Sequence, residues 1–190
     1  MDRNDRVEIV ALVGSMREHS YNRGLLRTAM LLQPEDVHIV EFPINSLPFF
    51  NPDHASGSTL PTVRDFRQAL QRADGLLVFT PEYTYSVPGL LKNALDWAGT
   101  PRGRSPLRGK PVGIASASVD RNGTVRAQMH LRQIFLSMAA VCLPEPEVYV
   151  TFAEDKFNHL GELTDQNARD QVKSLIEHMA DWALLMREQR

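Results

Sequence analysis

Along this chain a short apolar run is followed by an amphipathic one, and the pair repeats. Residues 7–13 (VEIVALV) form a near-continuous apolar run rich in β-branched side chains and stop at Gly14, as a strand buried on both faces does. Residues 21–32 then carry Leu25, Leu26, Ala29, Met30 and Leu32 at helical spacing. The next run, 37–42 (VHIVEF), is shorter and alternates, which suits a strand covered on one face only. Residues 43–61 are rich in Pro and Asn and read as loop. Pro61 opens a helix to Arg72, 75–80 (GLLVFT) is a second buried strand, and Pro88 starts a helix through Trp97. Further on come a strand at 111–116, a helix over 125–138, a short last strand at 148–150 and a long amphipathic helix over 166–187.

Five strands alternating with five helices predict a parallel sheet covered on both faces. With right-handed crossovers the strand order expected is 2-1-3-4-5, placing the two most apolar strands centrally and the strand from Val37 at an edge. A ligand would then bind beyond the carboxyl ends of the first, third and fourth strands.

The 190 residues fit one domain, 1–190, and their 43% hydrophobic content is enough for a core. A formal net charge of −2 gives no electrostatic footprint for nucleic acid or an anionic membrane. Arg102, Arg104, Arg108 and Lys110 form one local basic cluster that reads as a solvated loop, with Arg102 and Arg104 the candidates for meeting a phosphate. The single cysteine, Cys142, excludes an intramolecular disulfide. It lies in the apolar run 138–143 and reads as a buried structural thiol. A polar N-terminus without the apolar h-region of a secretory signal and no span of membrane length point to the cytoplasm. The six histidines are scattered, and even the closest pair, His38 and His54, lies outside metal-ligand spacing.

The candidate chemistry sits in three loops. Gly14 to Asn22 joins a buried strand to a helix N-terminus, where free N–H groups and the helix dipole attract an anion. Ser15, Ser20 and Asn22 add donors and Arg17 a forked cation suited to phosphate. Pro81 to Gly89 is stiffened by prolines and offers the flat faces of Tyr83 and Tyr85 to a planar ligand. Ser116 to Gly123 has small residues that let a ring approach the backbone. The G-x-G-x-x-G of a dinucleotide fold is missing after the first strand, and Gly103 to Lys110 fails as a Walker loop in both spacing and context. Phosphate at the first loop and an aromatic held by the other two describe a mononucleotide with a large ring system.

Gly14-Ser15-x-Arg17-x-x-Ser20-x-Asn22, Pro81-Glu82-Tyr83 and Val87-Pro88-Gly89-x-Leu91-Lys92-Asn93-Ala94-Leu95-Asp96-Trp97 resemble the NADPH-dependent FMN reductase family. That resemblance implies a flavodoxin-like three-layer α/β/α sandwich, FMN as cofactor, NADPH or NADH as electron donor, and a homodimer or homotetramer. The acceptor it implies is a small molecule: a flavin, quinone, azo compound or metal oxyanion. Carried over, Ser15, Arg17, Ser20, Tyr21 and Asn22 would surround the phosphate. Pro81, Glu82, Tyr83 and Thr84 would border the isoalloxazine, with Ser116 and Ser118 on its other side. The flavin carries the chemistry, so no catalytic side chain and no metal are expected. Thr84 stands where the family usually has Asn, and the loop after the fourth strand is poorer in glycine than is usual. A non-enzymatic flavodoxin-like carrier or an FMN-binding interaction protein is the alternative, and a carrier would usually show a strongly acidic docking face. Broad apolar surfaces on the helices from Pro88 and Val125 predict the oligomer interface.

Overall fold

The computed structural model describes residues 6–54 and 60–188. The polar N-terminal run 1–5 and part of the Pro- and Asn-rich loop lie outside them. Strands β1 (Val7–Val13), β2 (Val37–Glu41), β3 (Gly75–Phe79) and β4 (Pro111–Ala117) are parallel, and the sheet runs β2-β1-β3-β4 before its last position. Helices α1 (Tyr21–Leu32), α2 (Pro61–Arg72), α3 (Gly89–Gly99), α4 (Val125–Ser137), α5 (Ala153–Lys156) and α6 (Gln166–Glu188) complete the chain. The predicted flavodoxin-like order is present.

The fifth position is divided. Strand β5 (Val141–Cys142) pairs with Pro111–Val112, and β6 (Val148–Val150) pairs with Ala115–Ala117. One continuous strand was expected at 148–150. Instead the chain leaves β4 between the two pieces, where Glu145–Pro146 is a cis peptide. Cys142 therefore sits half-buried in an edge strand and not deep in the core.

Beneath the continuous apolar runs lies a period of two. Val7, Ile9, Ala11 and Val13 of β1 enter the core shared with α1 and α6, whereas Val10 and Leu12 enter the core with α2, α3 and α4. β3 divides likewise, Leu77 and Phe79 on one side and Leu76 and Val78 on the other. At the β2 edge Val37 and Ile39 are buried while Val40 is exposed, so one face there meets solvent, as the alternation predicts.

Two basic side chains fix the amino-terminal edge of the sheet. Arg67 donates to the carbonyls of Trp97, Ala98 and Thr100 at the end of α3 and to that of Arg104. Lys110 is 2% exposed and donates to the carbonyls of Leu70, Gln71 and Ala73 at the end of α2. Each satisfies helix C-terminal carbonyls that have no intrahelical donor. The loop carrying Arg102, Arg104 and Arg108 is thereby held beside the start of β4. The loops after β1, β3 and β4 lie at the opposite end of the sheet.

Candidate functional site

Those three loops leave the sheet at one edge. Gly14 N–H donates to Phe79 O and Thr80 N–H to Ala115 O, so pairing continues up to the loop bases. A Cβ on Gly14 would stand 3.0 Å from Thr80 Oγ1 and 3.3 Å from Leu91 Cδ2, so a side chain there would push Thr80 and Leu91 outward by a few tenths of an ångström.

Ser20 is the N-cap of α1, its hydroxyl accepting from Arg23 N–H at 3.3 Å. Ahead of it, Met16, Arg17, Glu18 and His19 are exposed. Among the described hydrogen bonds, the loop amides from Ser15 to Ser20 donate only one, from Arg17 N–H to Ser15 Oγ at 3.3 Å. The others stand at a helix N-terminus with the Arg17 side chain beside them, and this donor set suits an anion.

Two residues expected around a phosphate are committed elsewhere. Asn22 is 3% exposed and clamps the end of β4: its Nδ2 donates to Ala117 O at 3.0 Å, and its Oδ1 accepts from Ala117 N–H at 2.9 Å. Tyr21 turns into the core, its ring 5.0 Å from that of Phe157. Both belong to the scaffold of the loop. The spacing that suggested phosphate contact for Asn22 is equally the spacing that turns it inward on the first turn of α1.

The second loop closes into a tight turn. Tyr83 and Ser86 exchange both backbone hydrogen bonds at 3.0 Å, and Thr84 and Tyr85 between them have φ of 47° and 64°, the two positive values of a type I′ turn. Thr84 is β-branched in the left-handed region, a strained combination that asparagine tolerates better. The turn exposes Tyr83 and Tyr85. Tyr83 Oη lies 3.3 Å from Ser15 Oγ, joining the second loop to the first.

Glu82 proves to be a brace. Its Oε2 accepts from Ala127 N–H at 3.1 Å in the first turn of α4, while its Oε1 accepts from Arg126 at 2.9 Å. The Arg126 guanidinium also stacks 3.9 Å from the Tyr85 ring centroid. Thr124, at the N-cap position of α4, makes no side-chain cap bond, so Glu82 supplies one from another loop. Ser86 Oγ and His130 Nδ1, 2.9 Å apart, form a second tie. No sequence signal pointed to Arg126 or Ala127, which lie more than forty positions from Glu82.

The third loop is deeper than expected. Ser116 is fully buried; its hydroxyl donates to Val148 O at 3.3 Å and accepts from Gln128 Nε2 at 2.6 Å. It supports β6 from inside and is removed from any ring at the surface. Ser118 is half-buried at the loop base, where its Oγ accepts from Asp120 N–H at 3.1 Å. Thr124 Oγ1 and Gln128 Oε1 are buried beneath this loop without a hydrogen-bond partner.

The predicted residues thus divide. Ser15, Arg17, Ser20, Pro81, Tyr83, Thr84 and Ser118 gather at the carboxyl edge of the sheet, and Tyr21, Asn22, Glu82 and Ser116 hold that edge in shape. Arg102 and Arg104 lie at the far end of the chain's own sheet and do not reach it. Among the described residues no group of three His, Cys, Asp or Glu could hold a metal ion. The donor set of the first loop and the exposed rings of the second fit a flavin mononucleotide.

Residues 7–155 match the family described as NADPH-dependent FMN reductase. An NAD(P)H-dependent FMN reductase of Pseudomonas aeruginosa is 38% identical over 184 residues, covering 97% of this chain and 99% of its own. A 2-hydroxy-1,4-benzoquinone reductase of a Burkholderia species is 37% identical over 177 residues, covering 93% and 96%. Among solved structures, the flavoenzyme NAD(P)H:(acceptor) oxidoreductase of Paracoccus denitrificans aligns with a TM-score of 0.84 at 28% identity, over 93% of this chain and 97% of that one.

Proposed function

Since the chain belongs to the NADPH-dependent FMN reductase family, we propose that FMN rests with its phosphate on the loop Ser15–Ser20 and its ring against Pro81–Thr84, and that a quinone is the acceptor. The protein is an FMN-dependent oxidoreductase that takes electrons from NAD(P)H and reduces a small molecule. Bound there, FMN supplies the redox chemistry, taking a hydride equivalent from the nicotinamide and delivering two electrons to the acceptor. Arg17 and the α1 N-terminus offset the phosphate charge. The Tyr83–Ser15 contact ties the second loop to the first, and the Glu82 brace ties it to the start of α4. Ser118 lies at the other side of the ring position. Tyr83, Tyr85 and Met16 give an exposed apolar surface suited to a flat acceptor. The Burkholderia relative acts, by its name, on a hydroxybenzoquinone. We place the whole chain in the cytoplasm as a single domain; among the described residues no helix is long and apolar enough to cross a membrane.

The observation that carries the proposal is the uncommitted donor set of the first loop, beside Arg17 and tied to Tyr83. Titration with FMN and with riboflavin tests it. FMN is expected to bind at least tenfold more tightly, because riboflavin lacks the charge-assisted bonds. Equal affinity would overturn the phosphate assignment. Anaerobic NADPH is expected to bleach the bound flavin, and 1,4-benzoquinone to restore its colour within the mixing time.

A further inference from the structure

Beside the flavin edge, on the β2 side of the first loop, lies a cleft of about 440 Å³ lined by Val13, Ser15, Met16, Arg23, Glu41, Pro43, Ile44, Asn45 and Leu90. Its volume falls in the range of small-molecule sites, about 300–1,000 Å³. The flavin residues described above do not use it beyond the shared wall of Ser15 and Met16. Its apolar lining is Leu90, half-buried, with Val13 and Ile44 buried behind the wall. Its one fixed charge pair is Arg23 with Glu41: Arg23 Nη1 donates to Glu41 Oε1 at 2.8 Å and to Oε2 at 2.9 Å, with about a third of each side chain exposed.

Glu41 is the last residue of β2. In dinucleotide-binding parallel sheets an acidic residue beyond the first strand hydrogen-bonds the ribose 2′-hydroxyl, and a nearby arginine accommodates a 2′-phosphate. Glu41 and Arg23 carry the same pair of groups here without the glycine-rich loop. We infer that this cleft takes the adenosine ribose of the nicotinamide donor, with Glu41 favouring NADH and Arg23 favouring NADPH. The inference rests on the flavin lying over the loops after β3 and β4. Strand spacing of about 4.8 Å in the order β2-β1-β3-β4 puts the end of β2 about 10–14 Å from that ring position, a separation an extended dinucleotide bridges by crossing the first loop. Leu90, half-buried at the cleft wall, offers the adenine an apolar contact. Arg102 and Arg104, at the opposite edge, leave Arg23 as a cation that the chain itself places within this span. Because Arg23 binds Glu41 through Nη1 alone, its remaining nitrogens face outward to an added phosphate at little cost to the pair.

The two residues make opposite demands, and the test uses that. Steady-state kinetics with NADH and NADPH at saturating FMN are compared for the wild type, Glu41→Gln and Arg23→Gln. Glu41→Gln keeps an acceptor for Arg23 but removes the charge. It is expected to raise the KM for NADH about fivefold and to lower that for NADPH about threefold. Arg23→Gln is expected to raise the KM for NADPH about tenfold and to change that for NADH less than twofold. Variants that move both donors together, or leave their ratio within twofold of the wild type, would overturn the assignment. NMR of the FMN-loaded wild type with 2′,5′-ADP keeps the test independent of variant folding. Shifts at Glu41, Asn45 and Leu90 support the site, and their absence at millimolar ligand overturns it. Loss of FMN binding with the 2′,5′-ADP shifts retained would overturn the flavin reading alone.

Discussion

Arg17 and Asn22 stand five positions apart, carry similar polarity and resemble the same motif, yet the fold gives them opposite work. The Arg17 side chain is exposed and makes no hydrogen bond or ion pair among the described residues, so the apo fold does not depend on its guanidinium. Arg17→Ala is expected to weaken FMN by about 1.5–3 kcal/mol, roughly tenfold or more, with an unchanged melting temperature. Arg17→Lys should recover part of that, a point charge replacing a fork. Asn22→Ala removes two buried hydrogen bonds and leaves Ala117 short of its partners. It is expected to cost about 2–4 kcal/mol of apo stability by urea unfolding. A stable Asn22→Ala with weak FMN binding would return Asn22 to the phosphate. Cys142 belongs at this scale too. Burial pushes its thiol up from 9.0 to about 11, partly countered by the charge of Arg132. The folded state therefore favours the neutral thiol, and its contribution to stability is present below pH 9 and lost as the pH rises towards 11. Melting temperatures followed over that range should fall less steeply for Cys142→Ala than for the wild type.

At the scale of elements, several helix ends depend on side chains remote in sequence. Lys110 closes α2, Arg67 closes α3, and Glu82 caps α4. Local patterns found the helices themselves, because an apolar stripe is written within one helix. They missed these three ties, which couple residues roughly thirty to forty-five positions apart. Lys110→Met keeps the aliphatic length and loses the ammonium, leaving the carbonyls of Leu70, Gln71 and Ala73 without that donor. The expected loss is about 2–3 kcal/mol, or about 5–9 °C in melting temperature for a chain of this size. Calorimetry showing no change would mean that the α2 end is satisfied without Lys110. The split fifth strand escaped notice for a related reason. Two or three residues carry too little periodicity to read, and only pairing with β4 defines them.

For the whole molecule, the decisive matter is which apolar surface the chain covers by itself. The breadth of α3 predicted an interface, yet Leu91, Ala94, Leu95, Trp97 and Ala98 are all buried within the chain. Trp97 meets Phe50 edge-on with centroids 5.0 Å apart, and its indole donates to Pro48 O at 2.8 Å. The loop after β2 folds back over this helix. On α4, by contrast, Val125, Met129 and Leu136 remain 48%, 49% and 77% exposed. A homodimer or homotetramer is therefore proposed on α4, not on α3. Sedimentation of the wild type at micromolar concentration should give an oligomer, and Leu136→Asp should shift it towards monomer. A wild-type monomer would rule this interface out.

The sequence by itself determined the sheet order, the carboxyl edge that holds the loops, and the family whose cofactor is FMN. Apolar runs, helical stripes and short motifs are local, and each is legible without knowing what it touches. Tertiary structure alone decided which motif residues stay exposed at the carboxyl edge and which hold the scaffold. Asn22 and Ser116 read as donors, but Ala117, Val148 and Gln128 take their bonds. It also set the basic loop at the end of the sheet away from the three loops and paired Arg23 with Glu41 beside the first of them. The direction of a polar side chain follows from its nearest partner in space, and those partners come from strands and helices far along the chain.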